Sequence, residues 1–385
     1  MKKLLIAILM ITLLGGLLTA ETMKYDAPLL WKAPELMAQG NSTTANVTGY
    51  NSLFTNPAGF RTNRGEFNLV TIQPSWAMEL FDFLDDMENP DKNEVEAILD
   101  QITTNGLGAG AQSSIGYVGR GLGLAGFMSV DAFFPKAKTT LGAKGDIYLT
   151  GGMVAGYSLG FDALGWNWKV GADIRPMVRY LMSDINISTI TDLMGDGEEG
   201  EESAVEIPYY QGFGMGFDFG VQANWRLLTL GMSIRDIGNT KFAYTEGIFN
   251  PDTGEFLDQG IEVETVYAAP MTLRLGAAVH PKIPFLSFLA DPQVHAELAI
   301  PLVNADNYSD YAIGSFWTRL NLGADVTLLR MLSLRAGLNG GYLTAGAGLD
   351  LLFMEVNVAV FSQENGLYAG AERVMGGSVD FSLRF

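Results

Sequence analysis

The chain has 385 residues, with 24 Lys+Arg against 43 Asp+Glu (net charge −19), 48% hydrophobic residues, 46 Gly and no Cys. Without Cys there is no disulfide framework, thiolate zinc site, cysteine nucleophile or lipidated cysteine. So acidic a chain argues against a nucleic-acid partner, which needs clustered Lys/Arg, and so much Gly argues against a packed helical core, where each costs about 0.5–1 kcal/mol relative to Ala.

Residues 1–20, MKKLLIAILMITLLGGLLTA, combine a basic start at Lys2 and Lys3, an apolar run from Leu4 to Leu14 and a small-residue exit at Thr19-Ala20. This pattern predicts a secretory signal peptide cut after Ala20, with an uncleaved anchor as the competing reading. Beyond it, no stretch reaches the roughly 20 apolar residues of a transmembrane helix. Residues 21–64 do not alternate. They contain ANVTGYNSLFTNPAGF, in which Pro57 biases Asn56 to an extended backbone and Gly59 is free to turn. Such a turn can satisfy its own backbone while packing on a charged wall; a generic Asn-Pro turn is the plainer alternative.

From residue 65 the pattern has period two. Fourteen strands are predicted, at 65–77, 108–118, 121–134, 145–160, 166–181, 209–225, 227–238, 268–280, 292–302, 313–328, 331–340, 342–352, 353–362 and 375–385, with registers of twelve or sixteen left open. In WKVGADIRPMVRY, Trp168, Val170, Ile174 and Val178 lie opposite Lys169, Asp173, Arg175 and Arg179. From Gly212 onward, Phe213, Met215, Phe217 and Phe219 lie opposite Gly214, Gly216, Asp218 and Gly220. Side chains alternate across a strand, so each run has one apolar and one polar or glycine face. Many of these runs are longer than the about five to six residues of a soluble sandwich strand and suit a tilted bilayer crossing. Trp166, Trp168, Tyr209, Tyr210, Trp225 and Trp317 fall at strand ends, where interfacial girdles form. The predicted fold class is all-β, a transmembrane antiparallel β-barrel. Long connections at 78–107, 182–208, 239–267 and 363–374 largely alternate with short ones at 119–120, 161–165, 226 and 329–330.

In the first long connection Leu80, Phe81, Phe83 and Leu84 crowd one short segment, and Val95, Ile98, Leu99 and Ile102 recur at helical spacing. They either pack on each other or line a capture groove for an apolar substrate. The acidic run Asp192 to Ser203 lacks the ordered ligand spacing of a calcium loop and reads as a solvated loop. Inward charges of both signs, Arg179, Arg274, Arg335 and Glu297, Asp325, Glu355 among them, argue against a single-sign ion filter and for paired wall charges in a plugged lumen. The two histidines, His280 and His295, have no evident serine partner, so no catalytic residues, cofactor or metal site are expected. Pro176 and the glycine-rich strand 209–225 are the places where a wall defect is expected.

Asn51, Leu53, Phe54 and the block Asn56-Pro57-Ala58-Gly59 follow a small Gly/Ala/Thr-rich run and stand just ahead of the first strand. In these residues the chain resembles the long-chain fatty-acid transporter (FadL) family and its outer-membrane relatives. The resemblance implies a hatch over 21–64 folded into the lumen of a barrel over 65–385, with Asn51, Phe54, Asn56, Pro57, Ala58 and Gly59 as hatch and gating residues. It also implies an outer-membrane location and a capture groove on the outer surface. The final strand SVDFSLRF, ending in Phe385, resembles the signal read by the outer-membrane assembly machinery. The expected function is passive uptake of small hydrophobic molecules, long-chain fatty acids being the model substrate. The expected surroundings are the lipid bilayer and lipopolysaccharide or another outer-leaflet lipid. A docking or scaffold protein of the same barrel type, an adhesin and a hatch-free porin are the alternatives.

Overall fold

The structure is a computed structural model that describes residues 23–77, 106–135, 144–186, 189, 207–250, 255–281, 289–303, 314–364 and 373–385. The signal segment 1–20, the groove residues Leu80, Phe81, Phe83, Leu84, Val95, Ile98 and Leu99, and the acidic run 192–203 lie outside the described residues.

The strand segments begin with β1 (Lys24–Tyr25), β2 (Glu66–Ala77), β3 (Leu107–Gly119), β4 (Leu122–Phe134), β5 (Lys144–Ala163) and β6 (Trp166–Asn186). They continue as β7 (Ile207–Trp225), β8 (Leu228–Arg235), β9 (Thr240–Asn250), β10 (Glu255–Glu262), β11 (Tyr267–Ala269) and β12 (Thr272–Val279). The last are β13 (Ala290–Pro301), β14 (Leu320–Leu328), β15 (Leu332–Asn339), β16 (Tyr342–Leu351), β17 (Met354–Glu364) and β18 (Arg373–Arg384). Together they form a closed barrel of fourteen antiparallel wall strands. The count follows because β8 and β9 are halves of one wall strand and β10, β11 and β12 are pieces of the next. The ring closes where β18 pairs with β2, and Phe67 and Phe385 exchange both backbone hydrogen bonds at 2.8 Å.

Every predicted strand has its counterpart, with two departures larger than a few residues at an end. The stretch 239–267, expected as a loop, instead carries β9 and β10, which continue the wall as a hairpin. Period-two alternation resumes through Phe242 and Tyr244 after a kink at Asp236–Asn239, where Asp236, Gly238 and Asn239 take positive φ. The predicted strand 313–328 starts only at Leu320, because Phe316–Arg319 form a short helical turn.

The alternation decides which side chains face in. Along β6, Gly171, Asp173, Arg175, Met177 and Arg179 are buried, while Ile174 and Val178 remain exposed. Along β7, Phe213, Phe217 and their alternates point outward, at 51% and 44% exposure for the two named. An apolar belt of this kind loses about 25 cal/mol for each Å² left in water, and hydrocarbon removes that penalty. The protein is a membrane-spanning β-barrel.

Candidate functional site inside the barrel

Residues 23–60 are mostly buried against the inner face of the wall, and their backbone is caught by inward-facing side chains of the strands. The segment opens with β1, which pairs in parallel with β11. It then forms a short helix, α1 (Pro34–Ala38), and 3-10 turns at Tyr50–Phe54 and Pro57–Phe60. Asn56 caps the last turn with an extended backbone, as a residue before proline should. Its Oδ1 accepts from the Ala58 N–H (3.1 Å) and its Nδ2 donates to the Thr44 carbonyl (2.7 Å). Asn51, Phe54, Asn56, Pro57, Ala58 and Gly59 are all buried here.

The glycine faces of the wall explain how this backbone fits. Added Cβ atoms at Gly171 and Gly220 would collide with the Pro57 carbonyl and the Asn56 side chain. Polar wall side chains then do the holding. Glu297, fully buried, accepts from the N–H groups of Thr43 and Thr44 at 2.7 Å each, and its other oxygen accepts from Arg274 at 2.9 Å. Gln222 donates to the Val47 carbonyl (2.9 Å), Arg235 to the Phe54 carbonyl (2.7 Å) and Ser158 to the Ala58 carbonyl (3.1 Å). Near the start of the segment, Asp26 accepts from Arg179 (2.8 Å) and Tyr244 (2.7 Å), all three buried. The Arg179 guanidinium also lies 4.4 Å from the Phe242 ring centroid. Among these anchors, alternation had placed Glu297 and Arg179 in the lumen but not their partners on the inner segment.

One contiguous apolar cluster fills the space between segment and wall. It runs from Tyr267, Tyr244 and Phe242 to Trp31, Phe54, Phe60 and Phe127. Trp31 stacks on Phe54 at 3.9 Å, and Phe127 meets Phe54 edge-on at 5.7 Å.

The wall beside this cluster is interrupted. β7 pairs with β9 up to Gly214↔Phe242 and with β8 from Phe219↔Ile234, so Met215–Asp218 have no ladder partner on that side. One backbone bond, Ile237 N–H to the Phe217 carbonyl (2.9 Å), crosses the gap. Its inner side is barred by ion pairs, Arg175 with Asp236 (2.7 Å) and Asp218 (2.9 Å), and Arg235 with Asp218 (3.3 Å). On the other edge of β6, pairing with β5 also lapses beside Pro176, between Gly152↔Met177 and Ala155↔Ile174. Asp173 stands directly across the ladder from Asp218, and neither of its buried carboxylate oxygens has a hydrogen-bond partner.

The end carrying the tight turns is polar. A cavity of about 460 Å³ there is lined by Glu35, Asn51, Glu66, Arg335, Glu355 and Arg384, among others. Burial pushes the Glu35 carboxyl above the usual glutamate range, against the opposing pull of Arg335 3.7 Å away. His280 pairs with Asp291 (2.5 Å), and the buried His295 lies 3.5 Å from Asp325. Among the described residues neither imidazole bonds a serine, and no group of three or more His, Asp or Glu is placed to hold a metal ion.

No family model matches the chain, and no curated protein matches it. Among solved structures it is similar to a deltaS2S3 mutant of the monoaromatic hydrocarbon channel TodX, with 15% identity, TM-score 0.47, and coverage of 91% of this chain and 97% of that one. It is also similar to the Pseudomonas putida toluene transporter TodX, with 12% identity, TM-score 0.45, and coverage of 91% and 97%. A Pseudomonas aeruginosa FadL homologue gives 10% identity, TM-score 0.42, and coverage of 94% and 98%.

Proposed function

We propose that the barrel is an outer-membrane channel for passive uptake of small hydrophobic molecules, with residues 21–64 as its hatch. The observation that carries this reading is the aromatic cluster inside an otherwise polar lumen, ending beside a wall interruption. A porin conducting ions has no use for a lumen filled by Trp31, Phe54, Phe127 and Phe242. An apolar molecule gains about 25 cal/mol per Å² of its surface removed from water, so these side chains hold it in the space that opens when the hatch shifts.

The route follows from the same contrast. The turn end presents Glu35, Glu66, Glu355, Arg335 and Arg384, so straight passage would desolvate charge against an apolar passenger. Release sideways, through the gap between β7 and the β8–β9 strand, avoids that. The bar across the gap is coupled to the hatch, because Arg235 holds both Asp218 and the Phe54 carbonyl. Movement of Phe54 under a bound ligand would loosen Arg235, and with it the Asp218–Arg175–Asp236 chain. Leu80, Phe81, Phe83, Leu84, Val95, Ile98 and Leu99 are proposed as the capture groove. Long-chain fatty acids are the substrate we propose to try first.

The test is uptake of labelled oleate by cells lacking their own fatty-acid transporter, comparing wild type with Asn56→Ala/Pro57→Ala at equal surface display. Uptake by the wild type that changes in the double variant supports a hatch-gated channel. Absence of uptake at equal display overturns fatty acid as the substrate and favours a docking role.

A further inference from the structure

Five carboxylates, Glu35, Glu66, Asp325, Asp350 and Glu355, line the turn-end cavity against three guanidinium groups, Arg330, Arg335 and Arg384, an excess of two negative charges. Arg384 is shared between Glu355 (2.7 Å) and Glu66 (3.5 Å), and Arg335 divides itself between Asn357 (2.7 Å) and Glu35 (3.7 Å). Neither of these cations pairs with Asp350, whose carboxylate has no hydrogen bond or ion pair among the described residues. Asp350 also stands directly opposite Glu355 in the β16–β17 ladder. Like charges placed so destabilise a sheet, and a cation between them would reverse the sign.

A second observation comes from the inner segment on the facing side of the cavity. Asn51 lines it and is 4% exposed; its Nδ2 donates to Glu35 at 2.6 Å, and its Oδ1 has no partner. Asp325 Oδ1 is likewise buried without a hydrogen bond, with His295 Nε2 3.5 Å away. A buried acceptor left without a donor is costly and calls for a partner. These open positions are acceptors in a field of excess negative charge. A protonated amine meets both needs, since it brings three N–H donors and a positive charge.

The shape of the site narrows the ligand further. At about 460 Å³ the cavity falls within the range of about 300–1,000 Å³ usual for small-molecule sites. Among the described residues no group of three or more His, Asp or Glu is placed to hold a metal ion, so the negative charge is spread around the cavity and not gathered at one point. An extended dication matches that spread better than a compact one. Leu352 and Phe353, both exposed, and Met354 also line the cavity and offer apolar surface to a hydrocarbon chain between two charged ends.

We propose that the turn-end cavity binds a linear aliphatic diamine, with one ammonium group between Asp350 and Glu355 on the wall and the other at Glu35 and Asn51 on the inner segment. The proposal does not rest on the transport reading, since it concerns the polar cavity and not the aromatic cluster. The experiment is isothermal titration calorimetry of the full chain in a non-ionic detergent at low ionic strength, with 1,5-diaminopentane, pentylamine, 1,5-pentanediol and magnesium chloride as separate titrants. Wild type is expected to bind one diamine per chain at least tenfold more tightly than pentylamine, and to give no binding heat with the diol. Asp350→Asn, where the carboxylate has no bonded partner to lose, is expected to weaken the diamine at least tenfold at an unchanged melting temperature. Glu35→Gln is expected to weaken it from the other end. Absence of diamine binding by wild type, or undiminished binding by a folded Asp350→Asn variant, overturns the proposal. Pentylamine binding as tightly as the diamine overturns the two-ended site. Displacement of the diamine by equimolar magnesium would assign the cavity to a metal ion and overturn the diamine assignment.

Discussion

Glu297→Gln tests how the inner segment is held. One Glu297 oxygen takes two backbone N–H groups, from Thr43 and Thr44 at 2.7 Å each, while the other takes Arg274 at 2.9 Å. Hydrogen bonds to a charged acceptor are worth about 1.5–3 kcal/mol and neutral ones about 0.5–1.5 kcal/mol, so the amide forfeits roughly 1 kcal/mol at each backbone bond. The amide can present only one acceptor oxygen, so either Arg274 or the pair of backbone donors loses its partner. The total is about 3 kcal/mol, discounted at Arg274 because that side chain is 17% exposed. At about 1.4 kcal/mol per factor of ten, the docked segment loses roughly a hundredfold in population relative to undocked forms. Hydrogen exchange of the Thr43 and Thr44 amides, read by mass spectrometry in micelles, should accelerate by a comparable factor while strand amides of β15–β17 stay protected. Unchanged exchange at both residues in a correctly folded variant would refute the reasoning.

Gly220→Val should unseat the Asn56–Pro57 turn by overlap, with a cost of about 1–3 kcal/mol or more. Gly151→Ala, where an added methyl meets nothing within 4 Å, is its neutral control, and thermal melts of the two variants give the comparison. Asp173→Asn removes a carboxylate facing Asp218 and supplies a donor, so the melting temperature should hold or rise; a clear fall would show that Asp173 has a partner essential to the wall. The Glu35 carboxyl binds its proton more tightly folded than unfolded, so its share of stability is greatest below the ordinary glutamate range and falls as pH rises through and above it. Glu35→Gln should flatten that part of the pH profile in denaturant melts, and a steeper profile would contradict the sign.

Much of the wall was legible because period-two alternation needs only a face, and β6 and β7 state theirs residue by residue. The Asn56–Pro57 turn was legible because proline restricts the residue before it. The identity of what lies against the inner face was not. Gly171 and Gly220 read as a glycine stripe, and only the folded chain shows that backbone from residues 56–57 occupies the space. Glu297 read as one more wall charge, since nothing local ties it to Thr43 and Thr44 over 250 residues earlier. The β9–β10 hairpin escaped notice because the kink at Asp236–Asn239 breaks the phase of the alternation, so Phe242 and Tyr244 no longer continue the pattern of β8.

The parallel pairing of Lys24–Tyr25 with Tyr267–Ala268 sets an order of events in time. The first strand to be synthesised finds its partner only after more than 240 further residues have been made and β11 has taken its place. Contacts so far apart in sequence are the slow ones in folding. Asp26, Thr43 and Phe54 likewise wait for Arg179, Glu297 and Arg235. The inner segment can therefore dock only after most of the wall strands that hold it have been made. Until those first residues are seated, the space they occupy against the wall stands unfilled.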